Sequence, residues 1–81
     1  MRLVSKCDDA NSLVAGQFAH LPSLDSVSNL PYGLQGEGYI YCEGVSNGYR
    51  VEHLVCFPGT PIYSRMYIFN MWYPWVQVDI L

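Results

Sequence analysis

An aromatic segment near the end of the chain, residues 62–81, constrains the fold more than any other feature. It holds two tryptophans, four tyrosines or phenylalanines and a single arginine, Arg65. Each buried aromatic side chain removes about 150–250 Å² of surface from water, so we expect this segment to organise the core. A strand from Ile62 to Phe69 is predicted first, then a turn with Trp72 and Trp75, then an alternating strand from Val76 to Ile80.

The middle of the chain predicts a β-hairpin. Two β-rich runs, Gly38 to Val45 and Tyr49 to Phe57, flank Asn47-Gly48. Asn-Gly tolerates positive φ at both positions, as a type I′ turn requires. With Asn47-Gly48 as a two-residue loop, one face carries Ile40, Cys42, Val51, His53 and Val55, and the other carries Tyr39, Tyr41, Glu43, Arg50, Glu52, Leu54 and Cys56.

The same register brings two like charges together. Glu43 falls opposite Glu52, and such a pair is unfavourable. Either Arg50 lies diagonally and relieves the repulsion, or a β-bulge shifts the pairing by one residue. Both alternatives are compatible with the sequence.

The remaining elements complete a mainly β fold, a small antiparallel sheet with little helix. A helical turn is predicted at Asp9 to Ala15, with Asp8 or Asp9 as its cap, followed by a short strand from Gln17 to His20. Residues 21–35, rich in Pro and Ser, predict an irregular connection, and residues 57–61, with Pro-Gly, a turn. We divide the chain into an N-terminal arm or docking segment, residues 1–7, and a knob-like β domain, residues 8–81.

Composition limits the classes of function. The chain has 81 residues, of which 51% are hydrophobic and 14% charged, and its net charge is −3. A small core cannot enclose so much apolar surface, which predicts an assembly contact more than scattered exposed tyrosines. Only four basic residues are present, which argues against nucleic acid. No signal peptide or stretch long enough for membrane insertion is found.

Candidate catalytic groups do not converge, and we predict no enzyme, metal or cofactor. In the two-residue-loop register, Cys42 and His53 are cross-strand neighbours, and the simplest interpretation is a histidine packed on a thiol. Glu43 and Glu52 are interpreted as solvated charges near Arg50 rather than an acid–base pair. The odd count of three cysteines favours reduced, half-buried thiols.

Aromatic residues and one arginine are the candidate contacts with partners. Arg65 within an aromatic strand must be stacked or paired: it lies across Trp72, Trp75 or Tyr67, or pairs with Asp79, or else contacts a neighbouring subunit or an anionic sugar. Flat rings also stack on sugars. The candidate interface or glycan contacts are Tyr39, Tyr41, Arg65, Tyr67, Trp72 and Trp75.

The order of these motifs resembles the pyocin knob domain of bacteriophage and pyocin tail fibres. The resemblance covers roughly Asp8 to Val78. Its elements are an opening turn (Asp9, Asn11, Ser12, Leu13), a Gly and aromatic strand (Gly16, Phe18), an Asn-x-Pro (Asn29-Leu30-Pro31), a hairpin opened by Gly36, and a terminal Arg with Trp-x-x-Trp (Arg65, Trp72, Trp75). The chain departs from the family at Phe69-Asn70-Met71, where Gly is frequent, and at Glu52-His53, where Gln is frequent.

The resemblance implies a virion component of a phage, made in the host cytoplasm, which works in assembly or receptor attachment rather than catalysis. It implies other fibre, tail or capsid proteins as partners, and a homo-oligomer, typically a trimer. Two alternatives stay open: a monomeric lectin-like binder of host-surface polysaccharide, and a small inhibitor of a host protein.

Overall fold

The computed structural model describes residues 1–57 and 62–78, and these form mainly β-structure in one sheet, as the sequence predicts. The strands are β1 (Arg2–Leu3), β2 (Gln17–Leu21), β3 (Glu37–Ser46), β4 (Tyr49–Phe57), β5 (Ile62–Ile68), β6 (Met71–Trp72) and β7 (Val76–Val78). The predicted turn at residues 58–61 and the last part of the final strand lie outside the described residues.

The strands follow the order β1-β2-β3-β4-β5-β6, and β7 also pairs with β5. β1 and β2 pair in parallel, and the other strand pairs of the described chain are antiparallel. The outer edge of β5 is shared, because β6 pairs with its last residues and β7 with its first three. The strand predicted from Ile62 to Phe69 is confirmed as β5 and lies beside the hairpin, and the final strand is confirmed over its described residues.

Within residues 1–57 and 62–78, helical structure is limited to two single turns of 3₁₀ helix, Ala10–Ser12 and Leu24–Ser26. Asp9 caps the first turn, since its Oδ1 accepts a hydrogen bond of 2.9 Å from the backbone N–H of Asn11. A carboxylate at this position satisfies an N–H that the turn leaves without a partner. The predicted turn after Asp9 is therefore present, but it is shorter than the span 9–15.

One face of the sheet, the covered face, carries the core. The irregular segments around the two 3₁₀ turns fold over this face, and Val4, Val27, Leu30, Leu34 and Trp75 pack against it. Alternation along each strand sends every second side chain into this layer. The buried apolar residues are Cys7, Ala10, Leu13, Ala19, Leu21, Leu24, Ile40, Cys42, Leu54 and Cys56.

A β-bulge corrects the predicted hairpin register. Ser46 pairs with Tyr49, but the register then shifts at Val45, so that Gly44 pairs with Arg50 and Glu43 with Val51. An extra residue on one strand shifts every later pairing by one. Residues of the two strands that the unshifted register places on the same face then lie on opposite faces. Of the two alternatives that relieve Glu43 against Glu52, the bulge is the one present.

Positive φ angles are found in a different turn from the one that the sequence predicts. Asn47 and Gly48 do form the turn between β3 and β4, but neither has positive φ, so the predicted type I′ turn is wrong. Phe69 and Asn70, between β5 and β6, have φ of 54° and 61°. Positive φ at both central residues is what a type I′ turn requires.

Phe69 is a strained residue whose replacement by glycine should stabilise the fold. A bulky side chain at positive φ costs about 1–2 kcal/mol, and the ring is 74% exposed, so it returns little packing energy. We expect Phe69→Gly to raise the free energy of unfolding by about 1 kcal/mol, less than the full strain because glycine is freer in the unfolded chain. Urea unfolding followed by circular dichroism measures this change. Phe69→Ala is the control, since it removes the ring but keeps the strain; equal stabilisation by both variants would contradict the assignment.

Candidate docking surface

The second face of the sheet, the open face, is the candidate functional surface. Residues paired across neighbouring strands point to the same side, and the register gives two complete rows across five strands. The elements described above pack on the covered face, and within residues 1–57 and 62–78 none is found over this one. The two rows are His20, Tyr39, Val55, Ile62 and Val78, and Phe18, Tyr41, His53, Ser64 and Val76.

A line of rings runs along the centre of the open face. Tyr39 stacks on Tyr41 with centroids 6.1 Å apart, and Tyr41 stacks on the imidazole of His53 at 4.7 Å. Phe57 extends the line beyond Tyr39, at 5.8 Å. Partial burial raises the pKa of the Tyr41 phenol, and the nearby Glu43 adds to this effect. The line is therefore aromatic, and its Tyr41 phenol is uncharged at neutral pH.

His53 is held in place at both ring nitrogens. Its Nδ1 lies 2.9 Å from Ser64 Oγ, and its Nε2 lies 2.9 Å from Glu43 Oε1. Serine, histidine and glutamate also make up some hydrolase triads. Here, however, all three side chains project from paired strands, whose N–H groups are directed into the sheet ladder rather than toward Ser64. The hydrogen bonds fix the imidazole plane against Tyr41.

An apolar groove of about 370 Å³ lies beside this line, toward β7. Val51, Met66, Tyr73, Pro74 and Val76 supply most of its lining. Met66 is 45% exposed, which is unusual for a large apolar residue at the centre of a strand. The groove extends the apolar surface from the rings of β3 and β4 to the edge of the sheet.

The covered face buries an ion pair. Arg65 Nε donates a hydrogen bond of 2.8 Å to Glu52 Oε1, and Arg65 Nη2 lies 2.7 Å from the same oxygen. Glu52 is fully buried, and its other oxygen, Oε2, has no hydrogen-bond partner among the described residues. Burial raises the pKa of Glu52 to about 7, although Arg65 acts in the opposite direction. Burial also lowers the pKa of Arg65, against the effect of Glu52.

Two indole rings enclose the buried arginine. The guanidinium of Arg65 lies 3.7 Å from the centroid of Trp72 and 4.6 Å from that of Trp75. The predicted cation–π role of Arg65 is confirmed. Its ion-pair partner is Glu52, and the alternative partner Asp79 lies outside the described residues. Arg50 extends the stack, 4.4 Å from Tyr67 and 5.1 Å from Trp72.

Hydrogen bonds join this stack to the opening turn and to the Asn29 segment. Arg65 Nη2 donates to Asn11 Oδ1 at 2.7 Å, and Trp75 Nε1 donates to the carbonyl of Asn29 at 2.8 Å. Asn29 Nδ2 in turn donates to Asp9 Oδ1 at 2.8 Å. This bond, with that from the Asn11 N–H, lowers the pKa of Asp9. Residues far apart in sequence thus form one connected framework.

The six predicted contact residues separate onto two faces. Tyr39 and Tyr41 lie on the open face, while Arg65, Tyr67, Trp72 and Trp75 form the stack on the covered face. The sequence predicted neither the place of His53 and Ser64 beside Tyr41 nor that of Glu52 beside Arg65. The unfavourable Glu43–Glu52 opposition was the one indication of the shifted register.

The bulge corrects two predicted cross-strand pairings, Cys42 with His53 and Glu43 with Glu52. His53 pairs with Tyr41, while Cys42 pairs with Glu52, so His53 and Cys42 lie on opposite faces. Glu43 and Glu52 are likewise on opposite faces, and Glu52 is a buried ion-pair partner rather than a solvated charge. All three cysteines are buried free thiols; burial raises their pKa values, that of Cys42 to about 11.

Among the described residues, no three or more His, Cys, Asp or Glu side chains are grouped in a way that would hold a metal ion. The described part of the chain also contains no helix with the length and apolarity to cross a bilayer. Comparison with protein families, with curated proteins and with solved structures gave no match to this chain.

Proposed function

We propose that this chain is a structural component of a phage virion, a knob-like β module of a tail fibre or spike that docks rather than catalyses. The observation that carries the proposal is the open face, where the rings of Tyr39, Tyr41 and Phe57 adjoin an apolar groove. Uncovered apolar surface of this extent is typical of docking sites. Aromatic side chains also dominate the energetics of protein interfaces.

The framework on the covered face supports the link to pyocin knob domains. Its hydrogen bonds and ring contacts join members of three separate motifs of the resemblance: the opening turn (Asp9, Asn11), the Asn-x-Pro (Asn29) and the terminal Arg with its tryptophans (Arg65, Trp72, Trp75). Because these residues contact one another in the fold, their motifs are expected to occur together, in a fixed order, in any sequence that adopts it. The motif residues then specify the fold, and the open face is left for the partner.

Mass spectrometry of purified particles tests the proposed function. Particles of the phage that encodes the chain are banded by density and washed in high salt, and we expect its peptides at a constant ratio to the other fibre, tail or capsid proteins. The soluble fraction of the same lysate is the control. Recovery from the soluble fraction alone would contradict a virion role.

A second candidate function, binding of host-surface polysaccharide, is favoured by the flat stacking of Tyr39 on Tyr41. Rings in this arrangement offer both an apolar plane and hydroxyl groups to a sugar. On immobilised host lipopolysaccharide, a glycan-binding chain would be retained and its Tyr39→Ala and Tyr41→Ala variants would elute early. Tyr32→Ala is the matched control, because Tyr32 is fully exposed in the segment between Leu30 and Leu34, which packs on the covered face.

A further inference from the structure

We infer that the open face of one molecule packs against the same face of a second copy, giving a two-fold, face-to-face dimer. This inference rests on the proposed docking function and names its partner. The open face is the uncovered side of a single sheet, and two such sides commonly pack as a sandwich with the sheets about 10 Å apart. That spacing accommodates one interdigitated layer of side chains such as Tyr41, Val55 and Ile62.

The area of the open face suits a dimer. Each outward residue covers about 4.8 Å by 6.8 Å of the sheet, so the two complete rows of five and the shorter rows beside them, Glu37 with Phe57 and Glu43 with Val51 and Met66, give roughly 500 Å². A standard stable interface buries about 800 Å² on each partner. Met1, next to Phe18 and Tyr39, and Leu3 add apolar surface at the rim, where they are 71% and 62% exposed.

The charges of the open face also favour a copy of itself over a charged partner. Its two glutamates are each paired with a histidine: Glu37 Oε2 lies 2.7 Å from His20 Nε2, and Glu43 Oε1 lies 2.9 Å from His53 Nε2. The pairs lie toward opposite ends of β3, which leaves an apolar centre and a polar rim, as in typical interfaces.

The basic residues of the chain lie elsewhere. Arg50 and Arg65 belong to the stack on the covered face, and Arg2 pairs in register with Gln17, which alternates with Phe18 of the open face. Lys6 lies in a loop beside Asp8. The open face therefore offers no arginine or lysine from the described residues to a polyanion, whereas two copies meet without an uncompensated charge at their centre.

Solution mass tests the dimer. The weakest interfaces of this size have a Kd in the micromolar range, so the protein is measured at roughly 100 µM. Light scattering is then expected to give twice the chain mass of 9.2 kDa. Val55→Lys places a charge at the centre of the interface and should return the mass to that of one chain. Tyr32→Lys, with the same new charge in an exposed loop, should leave the dimer intact. A wild-type monomer, a trimer, or a dimer that only Tyr32→Lys dissociates would overturn the inference.

Hydroxyl-radical labelling of the wild type measures which side chains become covered on association, and it tests the dimer even if Val55→Lys does not fold. As the protein concentration rises, labelling of Tyr41 and Met66 should fall, while that of Tyr32 stays constant. Equal labelling of all three at every concentration would overturn the inference. The two proposals fail separately: a monomer found in virions contradicts only the dimer, and a dimer absent from virions contradicts only the virion role.

Discussion

Replacing Arg65 with methionine is expected to lower the free energy of unfolding by about 4 kcal/mol at neutral to slightly alkaline pH. The substitution keeps an unbranched apolar stem between Trp72 and Trp75 but removes the guanidinium that lies 3.7 and 4.6 Å from their rings. Glu52 then keeps its position, fully buried, without the Nε–H donor and the guanidinium charge that now lie against Oε1. An uncompensated buried carboxylate is the main cause of the expected loss.

A second substitution separates the charge effect from the packing effect. In Glu52→Met/Arg65→Met both charges are absent, and apolar pairs of similar volume often replace buried ion pairs without loss of stability. We expect the double variant to recover most of the stability that Arg65→Met loses. Lys6→Met is the matched control, since Lys6 and its partner Asp8, 3.5 Å away, are both exposed; such surface pairs contribute about 0–1 kcal/mol. A loss from Arg65→Met no larger than that control would contradict a structural ion pair.

The pH dependence of the single variant has a defined sign. Without Arg65, Glu52 loses the main influence that lowers its pKa, so the pKa rises above its present value of about 7. A carboxyl whose pKa is raised on folding stabilises the fold below its unfolded pKa, near 4.5, and loses that contribution as the pH rises through the folded value. The deficit of Arg65→Met relative to the wild type should therefore be smaller at about pH 5 than at about pH 8. Urea unfolding at both pH values measures it.

The strands of this chain are predictable because their determinants are local. Alternation and turn residues place β3, β4 and β5 to within one or two residues, and the capping Asp9 marks the first 3₁₀ turn. The alternation of β5 also groups Arg65 correctly with Tyr67. Each of these features depends on neighbours in sequence, which the sequence displays directly.

The register of β3 against β4 depends on a single extra residue, which local patterns do not specify. The bulge at Val45 moves Glu52 into the core beside Arg65 and His53 out beside Tyr41. One conflict in the unshifted register indicates the bulge, the opposition of Glu43 and Glu52. Resolving it in favour of the shifted pairing gives the correct division of candidate residues between the two faces.

The turn conformations show a different limit. Asn47-Gly48 is a strong type I′ sequence, but the bulge alters the twist of the strands that enter the turn, and both residues keep negative or extended φ. Phe69-Asn70 has no glycine, and yet both residues adopt positive φ. Here the pairing of β5 with β6, which sets Trp72 against Tyr67, dictates the turn. Tertiary packing therefore overrides the local preference at both turns.

Gly38→Ala is the second substitution with a large expected effect. Gly38 lies in β3 between Leu21 of β2 and Cys56 of β4, and it is buried. A Cβ atom at this position would overlap the carbonyl oxygen of Val55 and approach the Cα of Cys56 to 3.3 Å. Both are backbone atoms of the paired strand, so no side-chain rotation relieves the overlap. The strands must separate locally, which weakens the ladder at the centre of the sheet.

We therefore expect Gly38→Ala to lower the free energy of unfolding by about 3 kcal/mol, near the upper end for an overpacked core. The sign is informative, because alanine otherwise stabilises a strand relative to glycine by about 0.5–1 kcal/mol through the unfolded chain. Gly48→Ala is the matched control: its Cβ would meet only Ser46 Oγ, at 3.8 Å, and its φ lies outside the left-handed region. Urea unfolding of both variants measures the difference. Equal free energies of unfolding would mean that Gly38 is not packed against the backbone of β4, and would contradict the β3–β4 register that assigns residues to the two faces.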